Sequence, residues 1–152
     1  MNLKVSFSWI GLIVFVLPML INIAYVALPP TEKIEKTVTV THWVEIVEKI
    51  SRAGYLFAIT FLVSRESIQF ISVWLFLAVI FLMLYYAAWI RYFVSGRKIA
   101  LLNRTFFFVP MPLAVFPVFY FLCATVWLHN LPAAIIMTAF GAAHLTVSIQ
   151  SF

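Results

Sequence analysis

The sequence predicts an all-α integral membrane protein, a single domain over residues 1–152 built as a bundle of five transmembrane helices. Three observations predict it. Of the residues 65% are hydrophobic and only 10% charged, whereas a soluble domain needs about 25% charged residues to cover a water-facing surface. Four uninterrupted apolar runs each reach the ~20 residues required to cross ~30 Å of hydrocarbon. Tryptophans and tyrosines gather toward the ends of the spans, where rings with an apolar body and one polar atom settle at the headgroup level.

The four runs are residues 8–28, closed by Pro29-Pro30; 68–94, closed by Ser95-Gly96; 106–128; and 131–150. A fifth span, residues 41–64, has to be argued, because Glu45, Glu48, Lys49 and Arg52 crowd its head. Its uncharged part alone, Ala53 to Val63, would cover only ~16 Å as a helix, whereas starting at Thr41 gives ~34 Å. On a helical wheel the four charges share an arc of about 100°. The opposite face reads Trp43, Val47, Ile50, Gly54, Phe57 and Phe61, an apolar stripe over the full length. That continuity predicts one helix whose first turns are amphipathic. Residues 29–40 are the one long polar link, and their Thr-Val alternation reads as extended linker because a lone strand has no partner.

Five spans place the termini on opposite sides. The side reached by the loops after the first and third spans collects Lys33, Lys36, Lys49, Arg52, Arg91, Arg97, Lys98 and Arg104, against Lys4 and Arg65 on the other. The positive-inside rule makes the richer side cytoplasmic, with the amino terminus outside and the carboxy terminus inside. Trp9, Trp127 and Trp74 then lie toward the outer ends, and Trp43 and Trp89 at inner ends with Tyr85, Tyr86 and Tyr92 beside Trp89. The first run is longer than a signal-peptide core and no A-x-A site follows, so it reads as an uncleaved span. Short connections at Ser64–Ser67 and His129–Pro132 predict antiparallel neighbours, with Asn130 as an N-cap.

The net charge of +5 is dispersed in short loops, which is no nucleic-acid footprint. It reads instead as topology and as contact with anionic lipid headgroups on the cytoplasmic side. Cys123 is alone, which excludes an intramolecular disulfide or a cysteine metal cluster. Phosphate-binding glycine loops, H-E-x-x-H and C-x-x-C are absent from the sequence. The three histidines fall on separate segments, so the reading is of no catalytic, cofactor or metal centre.

The candidate polar residues each have a bland reading. Ionisable groups within a bilayer mark ion or substrate paths, yet Glu45–Lys49 and Glu48–Arg52 are i, i+4 pairs in the favourable order, as a solvated interfacial turn would carry. His144 lies at the margin of a stripe formed by Ala134, Thr138, Gly141, Leu145 and Ser148. That stripe reads as a packing face with one hydrogen-bonded imidazole, and a proton relay is the sharper alternative. Asn22 reads as interhelical glue. Among Pro110, Pro112 and Pro117, the last is the expected kink, freeing a carbonyl for a neighbour, water or an ion; Pro18 sits similarly in the first span.

The runs "WIGLIVFVLPMLINIAYVALPP", "WIRYFVSGRKIALLNRTFFFVPMPLAVFPVFYFLCATVW" and "FGAAHLTVS" resemble small multi-pass membrane proteins of Gram-positive bacteria. The resemblance implies a bacterial plasma membrane and carries no functional residues. Five spans in an aromatic-rich chain of this size also resemble the translocator-protein family, but its Trp-Pro-Pro and Gly-Pro-x-Trp motifs are missing. The expected function is non-enzymatic: an accessory or regulatory subunit, or a binder of a small hydrophobic ligand. The alternative is a small oligomeric transporter or channel. A cavity joining Asn22, Arg52 and His144 would favour transport, and a sealed Phe-packed interior the accessory role. A homo-oligomer or a larger membrane complex is the expected assembly.

Overall fold

The computed structural model describes residues 3–32 and 40–151. Its elements run β1 (Leu3–Val5), α1 (Trp9–Ala27), α2 (His42–Phe61), β2 (Leu62–Ser64), α3 (Val73–Val94), α4 (Ala100–Asn103), α5 (Pro112–Trp127) and α6 (Leu131–Ser151). The protein is mostly helical, as expected. Three helices, α1, α3 and α6, are long and apolar enough to cross a membrane, and α5 is a shorter apolar helix. At 1.5 Å per residue the 16 residues of α5 cover roughly 24 Å, short of the hydrocarbon thickness. The 20 residues of α2 suffice in length, but the four charges fall between its fourth and eleventh residues. Length and composition thus mark three crossing helices where the sequence suggested five. Residues 33–39, most of the polar linker, lie outside the described residues, and so does the reading of an extended segment there.

Several span boundaries move inward, each for a local reason. The helix expected to Ser64 ends at Phe61, and the next three residues form β2, antiparallel to β1 with Lys4 opposite Val63. A helix end leaves its last carbonyls without partners. Here the extended start of the chain supplies them, Ser6 N–H donating to Phe61 O and Ser8 N–H to Thr60 O. α3 begins at Val73 rather than Ile68, because Ser72 Oγ caps it by accepting from Trp74 N–H, and the Trp127 indole ties the preceding extended chain down through Gln69 O. The stretch 106–111 is not helical. Phe106 and Val109 exchange backbone hydrogen bonds in a tight turn, and Phe107, Phe108 and Met111 take positive φ before Pro112 starts α5. Arg91 at the end of α3 holds this region, donating to the carbonyls of Thr105 and Arg104.

α5 is the centre of the bundle. Eleven of its residues are buried, and it packs between α3 and α6, with α2 laid against α6. The turn from α5 to α6 is a Schellman motif: Asn130 N–H reaches Thr125 O and His129 N–H reaches Val126 O, with His129 at φ 52. Asn130 then caps α6, its Oδ1 accepting from Ala133 N–H, as its place in the sequence predicted. Its Nδ2 does more, donating to Ala58 O and Leu62 O at the end of α2. One buried amide therefore ties three elements together.

α1 is the peripheral helix. Only Gly11, Val14 and Pro18 are buried in it, all in its first half. Gly11 sits so close to α2 that a Cβ there would lie 1.9 Å from Ile59 O. The outward faces of α1, α3 and α6 expose Ile13, Ile23, Phe76, Met83, Ile135 and Ile149. An apolar exterior of this extent has no place on a soluble monomer. The aromatic belts are only partly as expected. Trp9, Trp43 and Trp74 are exposed, but Trp89 (6%), Tyr85 (3%) and Tyr92 (0%) face the interior, as does Trp127. Their sequence position near a span end could not reveal which way they turn.

Candidate functional site

In the second half of α1 the chain leans on α3. Tyr85 Oη donates to Asn22 Oδ1 at 2.7 Å, and the Tyr25 ring lies 5.1 Å from Trp89 and 5.8 Å from Tyr92. No hydrogen bond or ring contact joins residues 19–27 to α2 or α6 among the described residues. A cavity of about 290 Å³ occupies the space between, and all five long helices line it. α1 contributes Asn22 and Tyr25, α2 Arg52, α3 Tyr85 and Trp89, α5 Leu113 and Pro117, and α6 Phe140 and His144. The cavity joins Asn22, Arg52 and His144, the three residues whose meeting the sequence could only pose as a question.

The charged head of α2 divides. Glu45 and Lys49 pair at 3.6 Å on an exposed face, away from the cavity. Glu48 turns inward and is 8% exposed, a correction to the reading of four solvated charges. A single oxygen, Glu48 Oε1, takes both Arg52 Nη2 at 2.5 Å and His144 Nδ1 at 2.9 Å. The Phe140 ring stacks on His144 at 5.1 Å and lies 5.5 Å beneath the Arg52 guanidinium. Arg52, with its side chain 53% exposed, stands at the rim of the cavity. The apolar stripe from Trp43 to Phe61 points outward, so the inward face of α2 lies between stripe and charges.

Position on α6 also shifts. Its buried face is Ala133, Met137, Phe140, Gly141 and Ala143. Thr138 is exposed and bonds its own helix at Ala134 O, so the expected stripe of small and hydroxyl residues is not the packing face. Gly141 does pack closely: a Cβ there would meet Val118 Cγ1 at 2.7 Å. On α5, Pro117 is buried and lines the cavity beside Leu113. Pro117 has no N–H to give the Leu113 carbonyl one turn earlier, and both residues line the cavity.

No protein-family model, curated protein or solved structure matches the chain. A second cavity, of about 210 Å³, shares Tyr25, Trp89, Leu113 and His144 with the first and extends to Leu102, Met111 and Ser148. His144 therefore lines both cavities, the second of which reaches Leu102 of α4. No group of three metal-ligating side chains occurs among the described residues. The sequence missed Tyr25, Tyr85, Trp89 and Phe140. Asn22–Tyr25 and Tyr85–Trp89, spaced i, i+3 and i, i+4, were the available signals, overshadowed by the interfacial reading of aromatic residues.

Proposed function

We propose that the chain is a five-span protein of a bacterial plasma membrane that binds a small amphipathic ligand within the bilayer and performs no catalysis. The observation that carries this reading is the cavity joining Asn22, Arg52 and His144. Intramembrane ionisable residues are costly, and a concave, mostly apolar chamber with a few convergent polar groups is the usual form of a small-molecule site. At about 30 Å³ per water the chamber has room for roughly ten waters, or one small organic molecule. The two further spans are α2 and α5, the first with an amphipathic head and the second lengthened by the 106–111 turn. The amino terminus lies outside and the carboxy terminus in the cytoplasm, where exposed Lys98 and Arg104 meet anionic headgroups.

A second reading, an oligomeric transporter, is favoured by the second cavity, which continues from His144 toward the same cytoplasmic end. The accessory-subunit reading finds less support, because a sealed interior would have suited it.

Two measurements test the proposal. A reporter active only in the cytoplasm should work when fused after Phe152, and activity from an outside-only reporter there would overturn the five-span topology. The purified chain in phosphatidylcholine nanodiscs should bind the neutral probe 2-naphthamide more than empty discs do. Met137→Trp, which fills the chamber, should abolish that binding; equal binding by both proteins would remove the cavity as the site.

A further inference from the structure

Glu48 is held by two nitrogen partners on one oxygen, and only the Arg52 guanidinium is permanently charged. We propose that the cavity takes an organic anion, a carboxylate or phosphate on a compact apolar body, together with one proton that His144 receives. The inference rests on the ligand-binding reading above and names the ligand's chemistry.

The argument is one of charge balance in a poorly solvated space. With His144 neutral, Arg52 and Glu48 cancel and the empty site carries no net charge. Arg52 alone among the lining side chains is permanently charged, and its rim position presents unused guanidinium N–H groups. Such a fork suits carboxylate and phosphate oxygens. An anion arriving there would compete with Glu48 for Arg52, and a buried carboxylate stripped of its cation is expensive. A proton on His144 removes the conflict. Glu48 Oε1 as a carboxylate oxygen can only accept, so a neutral His144 hydrogen-bonded to it carries its proton on Nδ1; the added proton is then taken at Nε2 and the imidazolium holds Glu48 while Arg52 turns to the ligand. With a monoanion, a carboxylate or a singly ionised phosphate ester, the site then contains two positive and two negative charges and stays neutral.

The groups around His144 allow this. Glu48 bonds it from α2, and the cavity wall it shares carries Arg52 and Tyr55 from α2, Tyr25 from α1 and Tyr85 from α3, while α5 offers only Leu113, Pro117 and Phe121. Among the described residues no carboxylate lines the chamber itself, and Glu48 is the one that His144 bonds from behind its wall. The walls fit a compact apolar body: Phe15, Tyr55, Phe121 and Phe140 give flat faces and Met19 and Met137 adaptable ones.

The experiment uses the full chain in neutral phosphatidylcholine nanodiscs, titrated calorimetrically with 2-naphthoate, 2-naphthyl phosphate and neutral 2-naphthamide. Naphthoate or naphthyl phosphate should bind roughly tenfold to a hundredfold tighter than the amide, and Arg52→Gln should erase that margin. Titrations in buffers of different ionisation enthalpy should report uptake of about one proton per anion. His144→Gln should keep a folded, Arg52-dependent site that binds more weakly and takes up no proton. Dodecanoate supplied in the disc lipid, competing with naphthoate, would place the natural source in the membrane; an absence of competition would place it in the cytoplasm. Amide binding equal to anion binding overturns the anion assignment but leaves the cavity reading intact. Binding of none of the probes overturns both, and undiminished proton uptake in His144→Gln overturns the role of His144.

Discussion

The Tyr120 hydroxyl donates to the carbonyl of Val14 at 2.8 Å, across from α5 to α1. That carbonyl is the one Pro18 abandons: proline has no N–H, so the residue four positions earlier loses its helical partner. Within a membrane such a group must be satisfied by a neighbour. Tyr86 adds a second anchor, its hydroxyl donating to Leu17 O. The two tyrosines fasten α1 in the turn that precedes its proline, below the half that leans on α3.

Tyr120→Phe should therefore cost about 1–3 kcal/mol, the penalty for a buried acceptor left unpaired. The check is a double-mutant cycle in reversible unfolding. Pro18→Ala restores the N–H, so Tyr120→Phe should cost clearly less in that background. Equal costs in both backgrounds would mean that the hydroxyl does not serve the abandoned carbonyl.

The contact between α1 and α2 at Gly11 predicts a sharp difference between two glycines. Gly11→Ala would drive a methyl into Ile59 O and should destabilise by roughly 1–3 kcal/mol as the helices are forced apart. Gly54→Ala meets nothing nearer than Ile136 Cγ2 at 3.6 Å and should be neutral or slightly stabilising, since alanine favours helix by about 1 kcal/mol. Thermal unfolding of the two variants in one detergent decides it.

Asn130 can be dissected by chemistry. Asn130→Asp keeps the oxygen that caps α6 but removes the donor to Ala58 O and Leu62 O. Asn130→Ala removes both. The aspartate should already lose most of the stability, about 1–3 kcal/mol, because the tie to α2 is buried and the cap alone is worth ~1 kcal/mol. An aspartate variant as stable as the wild type would show that the amide's donors are dispensable.

The charged head of α2 should behave as two unlike pairs. Lys49→Gln breaks an exposed pair and should change stability by no more than about 1 kcal/mol. His144→Ala strips one of two partners from buried Glu48 and should cost about 1–3 kcal/mol. Adding Glu48→Gln should recover part of that loss, since a neutral amide tolerates burial better than a carboxylate. The yield of folded, monodisperse protein after purification measures all three.

How much of this was legible in the sequence varies by feature. The helices were, because an apolar run near 20 residues and a proline or glycine at its end are local signals. Asn130 as a cap was legible for the same reason, and so was the i, i+4 spacing of Glu45–Lys49 and Glu48–Arg52. The missed β1–β2 ribbon pairs residues about sixty positions apart, and neither strand has an alternation long enough to announce itself. The early end of the helix at Phe61 follows from that pairing.

The sequence by itself determined that this chain has too few polar groups to cover a water-facing surface and carries helices apolar enough to cross a membrane, since both are properties of composition that no folding can alter. It also determined where helices form and which residues carry charge inside them. Only the tertiary structure decided which charges meet. Glu48 and His144 lie 96 residues apart, and nothing local sets the rotation of α2 against α6 that brings them within hydrogen-bond reach. That rotation is a packing decision between the two helices, where Gly54 of α2 meets Ile136 of α6 and Asn130 at the head of α6 bonds the end of α2. The cavity lies between these packed helices and is lined by all five of the long ones, which no single segment of the sequence could announce.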